Sequence, residues 1–73
     1  MQVFVKASDG INIIILSNPD DTIDTLKGNI ESKLGVPKDV QVLVYEGKQL
    51  ADVQKSLKYY GIHTESQIHL VQV

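Results

Sequence analysis

His63 and His69 are the side chains of this 73-residue chain best suited to proton transfer or metal ligation, and neither stands at an interpretable spacing from a partner. A nucleophile needs an adjacent base and a third group that orients the base. The chain has no cysteine, and no serine or aspartate sits relative to either histidine in a way that reads as such an arrangement. Structural and catalytic zinc sites draw ligands from short, fixed intervals, and two histidines with scattered carboxylates supply none. No glycine-rich loop is present to cradle a phosphate. The residues therefore point to no catalysis, no metal and no cofactor, and both histidines read as surface groups.

Charge narrows the field further. All seven basic residues are lysines, nine acids outnumber them, and the formal net charge is −2. Without arginine there is no planar fork for phosphate or guanine, so nucleic acid is not an expected partner. Chemistry is left to the surface, as contact with other proteins.

A chain of this length encloses one core, read here as a single domain over residues 1–73. With no disulfide available, its stability must come from efficient packing, and the lack of cysteine fits a reducing compartment. The start at Met1 has neither a basic region nor a continuous apolar run of the secretory kind. Ile13 to Leu16 is far shorter than the roughly 20 apolar residues a membrane helix needs. A cytoplasmic or nuclear protein with no membrane contact is expected.

The elements that would position a surface follow from periodicity. Met1, Val3 and Val5 alternate with Gln2 and Phe4, the period of a strand with one buried face. Ser8, Asp9 and Gly10 supply turn chemistry, and the β-branched run Ile11 to Ser17 reads as the returning strand. Thr22 suits a helix N-cap, and Asp24 suits the positive end of the helix dipole. Ile23, Leu26, Ile30 and Leu34 then recur every three or four residues, predicting a helix over Ile23 to Leu34. Gly35 fits the left-handed position that ends it, and Pro37 prevents continuation. Val40 to Tyr45 predicts a third strand, Glu46 and Gly47 a turn, and Lys48 to Leu50 a short fourth strand. Leu57 and Ile62 read as core anchors under a loop. Gln67 to Val73 alternates again, with Ile68 and Leu70 on one face and His69, Val71 and Val73 on the other.

At this point the residues resemble a known family. Met1-Gln2-Val3-Phe4-Val5-Lys6, Asp21-Thr22-Ile23, Gly35-Val36-Pro37, Gly47-Lys48-Gln49-Leu50 and Glu65-Ser66-Gln67-Ile68-His69-Leu70-Val71 stand in the order and register of ubiquitin. One extra residue between Val53 and Ser56 is all the match requires. The resemblance implies an α+β, β-grasp fold: a mixed sheet of four to five strands with one helix packed across one face.

It also implies where partners bind. If Leu43 and Tyr45 point to the helix, Val42 and Val44 face solvent beside His69, Val71 and Val73. In ubiquitin relatives the positions matching Val44, His69 and Val71, with the loop position of Ser8, dock partner helices, and Gly47, Lys48 and Gln49 flank them. Rim lysines such as Lys6 and Lys48 would orient the partner. Scattered exposed valines need no such explanation, whereas a contiguous cluster does.

Departures from the pattern matter as much. Ser8 replaces the family's leucine, which changes the partner set. Val42 and Val73 stand where the family usually has arginines that activating enzymes read. A second outward group, Phe4, Ile14 and Leu16, is more apolar than the family's usual strand and suggests packing against a longer chain or weak self-association of a monomer. Lys6, Lys27, Lys33 and Lys48 match family lysines that carry chains, although chain growth needs a glycine terminus, and solvation alone accounts for a surface lysine.

Three functions compete on these grounds. The first is a noncovalent docking module in the ubiquitin and proteasome system, at the N-terminus of a longer protein, meeting receptor helices or proteasome subunits. The second is a covalent ubiquitin-like modifier whose diglycine tail is missing from this sequence. The third, less favoured, is a sulfur carrier of the same fold.

Overall fold

The computed structural model describes residues 1–73. Strand β1 (Gln2–Ala7) and strand β2 (Asn12–Leu16) form an antiparallel hairpin, and helix α1 (Ile23–Leu34) follows. A 3₁₀ turn over Lys38–Val40 leads into β3 (Gln41–Tyr45) and β4 (Lys48–Gln49), and a second over Lys58–Tyr60 precedes β5 (Gln67–Gln72). The strands make one five-stranded sheet in the order β2-β1-β5-β3-β4. The central β1–β5 pair is parallel while its neighbours are antiparallel. This is the mixed sheet with a single helix across one face that defines the β-grasp fold.

Helix α1 occupies the residues its periodicity predicts. Thr22 caps it, its hydroxyl accepting from the Thr25 amide at 3.2 Å. Two further orphan amides, those of Ile23 and Asp24, donate to the carbonyls of Lys55 and Val53. The loop after β4 is thereby stitched to the start of the helix. Gly35 takes the left-handed conformation at φ 73° and closes the other end.

Alternation decides which side chains meet the helix. Val3, Val5, Ile15, Leu43, Ile68 and Leu70 leave the sheet on the helix side, and Ile23, Leu26 and Ile30 come down on them. Leu57 and Ile62 close the open end from the loop. Leu34 only borders this core, half-buried at the last turn.

Strand boundaries shift modestly from the sequence expectation. β1 runs on to Ala7, because Ala7 and Ile11 still bond across the hairpin before Gly10, at φ 92°, lets the chain turn. Val40 belongs to the preceding 3₁₀ turn rather than to β3, and Leu50 turns inward to the core instead of extending β4. Val73 lies just past the end of β5, its amide donating to the Val40 carbonyl.

Candidate functional site

The face of the sheet opposite the helix is uncovered, and cross-strand register decides what lies on it. Val42 stands opposite Val71, and Val44 opposite His69, on the antiparallel pair β3–β5. On the far side of β5, Lys6 is opposite His69 across the parallel pair with β1. On the near side, Gln49 is opposite Val44 across the β3–β4 pair. Asn12, Lys6, His69, Val44 and Gln49 thus form one row running across all five strands. Directly opposed side chains lie about 5 Å apart at Cβ, so the valines and His69 make one continuous patch.

Exposure grades across this patch. Val42 and Val44 are half-buried between their neighbours, Val71 is 42% exposed, and Val73 is 81% exposed beyond the strand's end. Ser8 is exposed and lines a shallow hollow with Lys6, Gly10, His69 and Val71. The missing leucine at this position therefore leaves open space beside His69. Gly47, Lys48 and Gln49 are exposed at the β3–β4 turn, where Glu46 and Gly47 have φ of 51° and 80°. Those two positive angles make a two-residue primed turn, which matches strand twist and sets Lys48 opposite Tyr45.

The patch is thus apolar in the middle, with Lys6 and Gln49 flanking it in the cross-strand row, while Lys48 is exposed and stands opposite the core-facing Tyr45. Such an arrangement removes two or three valine side chains from water when an apolar partner covers it, at about 25 cal/mol per Å².

Phe4, Ile14 and Leu16 lie on the same open face at its other end, on β1 and β2. Phe4 is opposite Ile14 and is half-buried rather than fully outward, while Ile14 and Leu16 are 47% and 73% exposed. Phe4 and Ile14 share a shallow groove with Asn12, Ile13 and Gln67.

The four lysines singled out in the sequence are not equivalent. Lys6 and Lys48 are exposed and unpaired. Lys27 is half-buried and its ammonium donates to the Gln41 carbonyl at 3.1 Å, and that of Lys33 donates to the Ile14 carbonyl at 2.9 Å. Sequence reasoning missed both contacts, since the spacing of residues in the chain says nothing of which carbonyl a long side chain reaches. It also missed Gln41, a buried amide whose Nε2 donates to the carbonyls of Lys27 and Val36 at 3.0 and 2.9 Å.

His69 is exposed on the patch, and His63 is exposed in the loop before β5 with its Nδ1 2.9 Å from the Thr64 carbonyl. No group of three His, Cys, Asp or Glu side chains has the geometry to hold a metal ion. No helix is long and apolar enough to cross a membrane.

Comparison with known proteins agrees with this architecture. The model of the ubiquitin family matches residues 3–72. The chain is 41% identical over 71 residues to the NEDD8-like protein RUB3 of Arabidopsis thaliana, covering 97% of this chain and 90% of that one. It is 37% identical to Ubiquitin-like protein 1 of Schizosaccharomyces pombe, with the same coverage, 97% and 90%. It is 39% identical to Ubiquitin-like protein 4A of Rattus norvegicus, where the match covers 97% of this chain but 45% of the relative. Fold, register and sequence agree along almost the whole length, and the chain belongs to the ubiquitin family.

Proposed function

We propose that the chain is a noncovalent docking domain of a longer protein in the ubiquitin and proteasome system. Its open β3–β5 face receives the apolar side of a partner helix. The observation that carries this reading is the pairing of Val42 with Val71 and of Val44 with His69, which makes one continuous patch from residues far apart in the chain. Two features favour docking over conjugation. Val42 and Val73 replace arginines that the family resemblance ties to activation, and the Phe4, Ile14 and Leu16 strip is apolar where a free modifier benefits from polarity. Ubiquitin-like protein 4A, in which the matched region is less than half of the length, gives a precedent for such a domain within a larger chain.

A covalent modifier is the second reading. It is favoured by RUB3 and Ubiquitin-like protein 1, each of which the chain matches over 90% of its length.

Titrating ¹⁵N-labelled chain with a helical ubiquitin-receptor module tests the first reading. Shift changes centred on Val42, Val44, His69 and Val71 are expected. Changes spread elsewhere, or none at millimolar receptor, would overturn it. A blot and intact mass of the native gene product separate the two readings. One discrete species well above 8 kDa supports docking, whereas a ladder collapsed by a deubiquitinase-type protease supports the modifier.

A further inference from the structure

We propose that the free edge of β2 pairs with β2 of a second copy of this chain, and that the charge of Lys33 holds this pairing off. The inference concerns the opposite end of the sheet from the docking patch and does not rest on it.

β2 is the outermost strand on one side of the sheet. Its bonds to β1 alternate. Ser17 and Ile11 bond to Met1 and Ala7, and the register carries the same phase through Ile15 and Ile13. The main-chain amides and carbonyls of Asn12, Ile14 and Leu16 therefore point away from the sheet. Natural edges are usually blunted by a proline, a bulge or a charged side chain within the strand. β2 reads Asn-Ile-Ile-Ile-Leu and carries none of these.

What stands guard comes from the helix instead. Lys33, in the last turn of α1, reaches over the edge and donates to the Ile14 carbonyl at 2.9 Å. It occupies the central acceptor of the outward row.

The occupant that fits this edge is a second copy. A two-fold axis beside Ile14 sets Ile14 against Ile14, with Asn12 and Leu16 opposite one another on either side. Each pair can exchange two hydrogen bonds, so the row is self-complementary. No charged residue lies within the strand, so two apposed copies of it meet no like charge except that of Lys33. Exposed Ile14 then meets its counterpart on the open face, with Leu16 beside it over Asn12 of the second copy and Phe4 behind. A ladder this short with three apolar side chains buries on the order of half the ~800 Å² per partner of a stable interface, so the dimer is weak.

The same two-fold explains the guard. It brings the two Ile14 residues to about 5.5 Å at Cα, and with them both Lys33 ammonium groups. Lys33 thereby withholds the two acceptors of the central pair and adds like-charge repulsion at the axis. Neutralising Lys33, as acylation of its amine would, opens the edge.

The test compares wild type with Lys33→Gln and Lys33→Arg by sedimentation and by amide hydrogen exchange, up to millimolar chain. Lys33→Gln is expected to dimerise roughly tenfold or more tightly than wild type, the consequence of regaining two hydrogen bonds. New protection should fall at Asn12, Ile14 and Leu16, while Lys33→Arg stays monomeric like wild type. Leu16→Lys in the Lys33→Gln background should restore the monomer. A monomeric Lys33→Gln would overturn the proposal, as would equal dimerisation of the arginine variant or protection confined to the β3–β5 face.

Discussion

Lys27 and Gln41 hold each other by the main chain. The Lys27 ammonium donates to the Gln41 carbonyl at 3.1 Å, and the Gln41 side-chain amide donates to the Lys27 carbonyl at 3.0 Å. A helix and a strand are joined at one place by two reciprocal bonds. The same amide also reaches the Val36 carbonyl just beyond the helix end, so Gln41 anchors the α1–β3 connection from inside.

Lys27 should therefore be the least reactive lysine toward a limiting amine-acylating reagent, with Lys6 and Lys48 the most reactive. Peptide mass mapping after brief labelling checks the order. Labelling of Lys27 as fast as Lys48 would show that its contact to Gln41 is open in solution.

Gln41→Leu should lower stability by about 1 to 3 kcal/mol. The leucine fills a similar volume but strips the buried Val36 carbonyl of its side-chain donor, a loss of about 1 to 3 kcal/mol when such a group is left unpaired, while the Lys27 carbonyl lies within the helix and keeps its helical partner. Urea unfolding measures the loss. The Gln41 Oε1 atom has no partner of its own, so the native residue already carries part of such a cost.

Thr22→Ala removes the side-chain acceptor of the Thr25 amide and should cost about 1 kcal/mol. Thr22→Ser keeps the oxygen and should recover most of it. The pair of unfolding midpoints, not either alone, assigns the effect to the cap.

Glu46 sits at φ 51°, a left-handed angle that a glutamate adopts reluctantly. Glu46→Asn creates the Asn-Gly pair that primed turns favour and should stabilise the chain by about 0.5 kcal/mol. An unchanged or lowered urea midpoint would contradict that reading of the turn.

Val44→Ala and Val71→Ala each delete two methyl groups from the open patch without touching the core. At about 0.8 kcal/mol per buried CH₂, each should weaken a helical receptor roughly 5- to 15-fold. Isothermal titration with dispersion of the free-chain spectrum as a control for folding checks both. Ser8→Leu should act oppositely, filling the hollow beside His69 and strengthening partners that present an apolar side chain there.

Local chemistry made the helix and the strands legible. Thr22, the stripe Ile23, Leu26, Ile30 and Leu34, and Gly35 mark one helix with both its ends, because capping and periodicity act within a few residues. Alternation in Met1 to Val5 and in Gln67 to Val73 likewise fixes which side chains share a face. Blocks in register with ubiquitin added the topology, which periodicity does not contain. That Val42, Val44, His69 and Val71 share the open face of the sheet was readable as a set of outward positions.

Only the folded chain decided the pairings. That Val44 meets His69, and that His69 meets Lys6 on its other side, depends on β5 inserting between β1 and β3, a contact between segments separated by most of the chain. Half-burial of Phe4 and Lys27, and the reach of Lys33 to Ile14, are likewise tertiary facts. A lysine's four-carbon stem can serve any carbonyl within its radius, so composition and spacing name the donor while the fold alone chooses the acceptor.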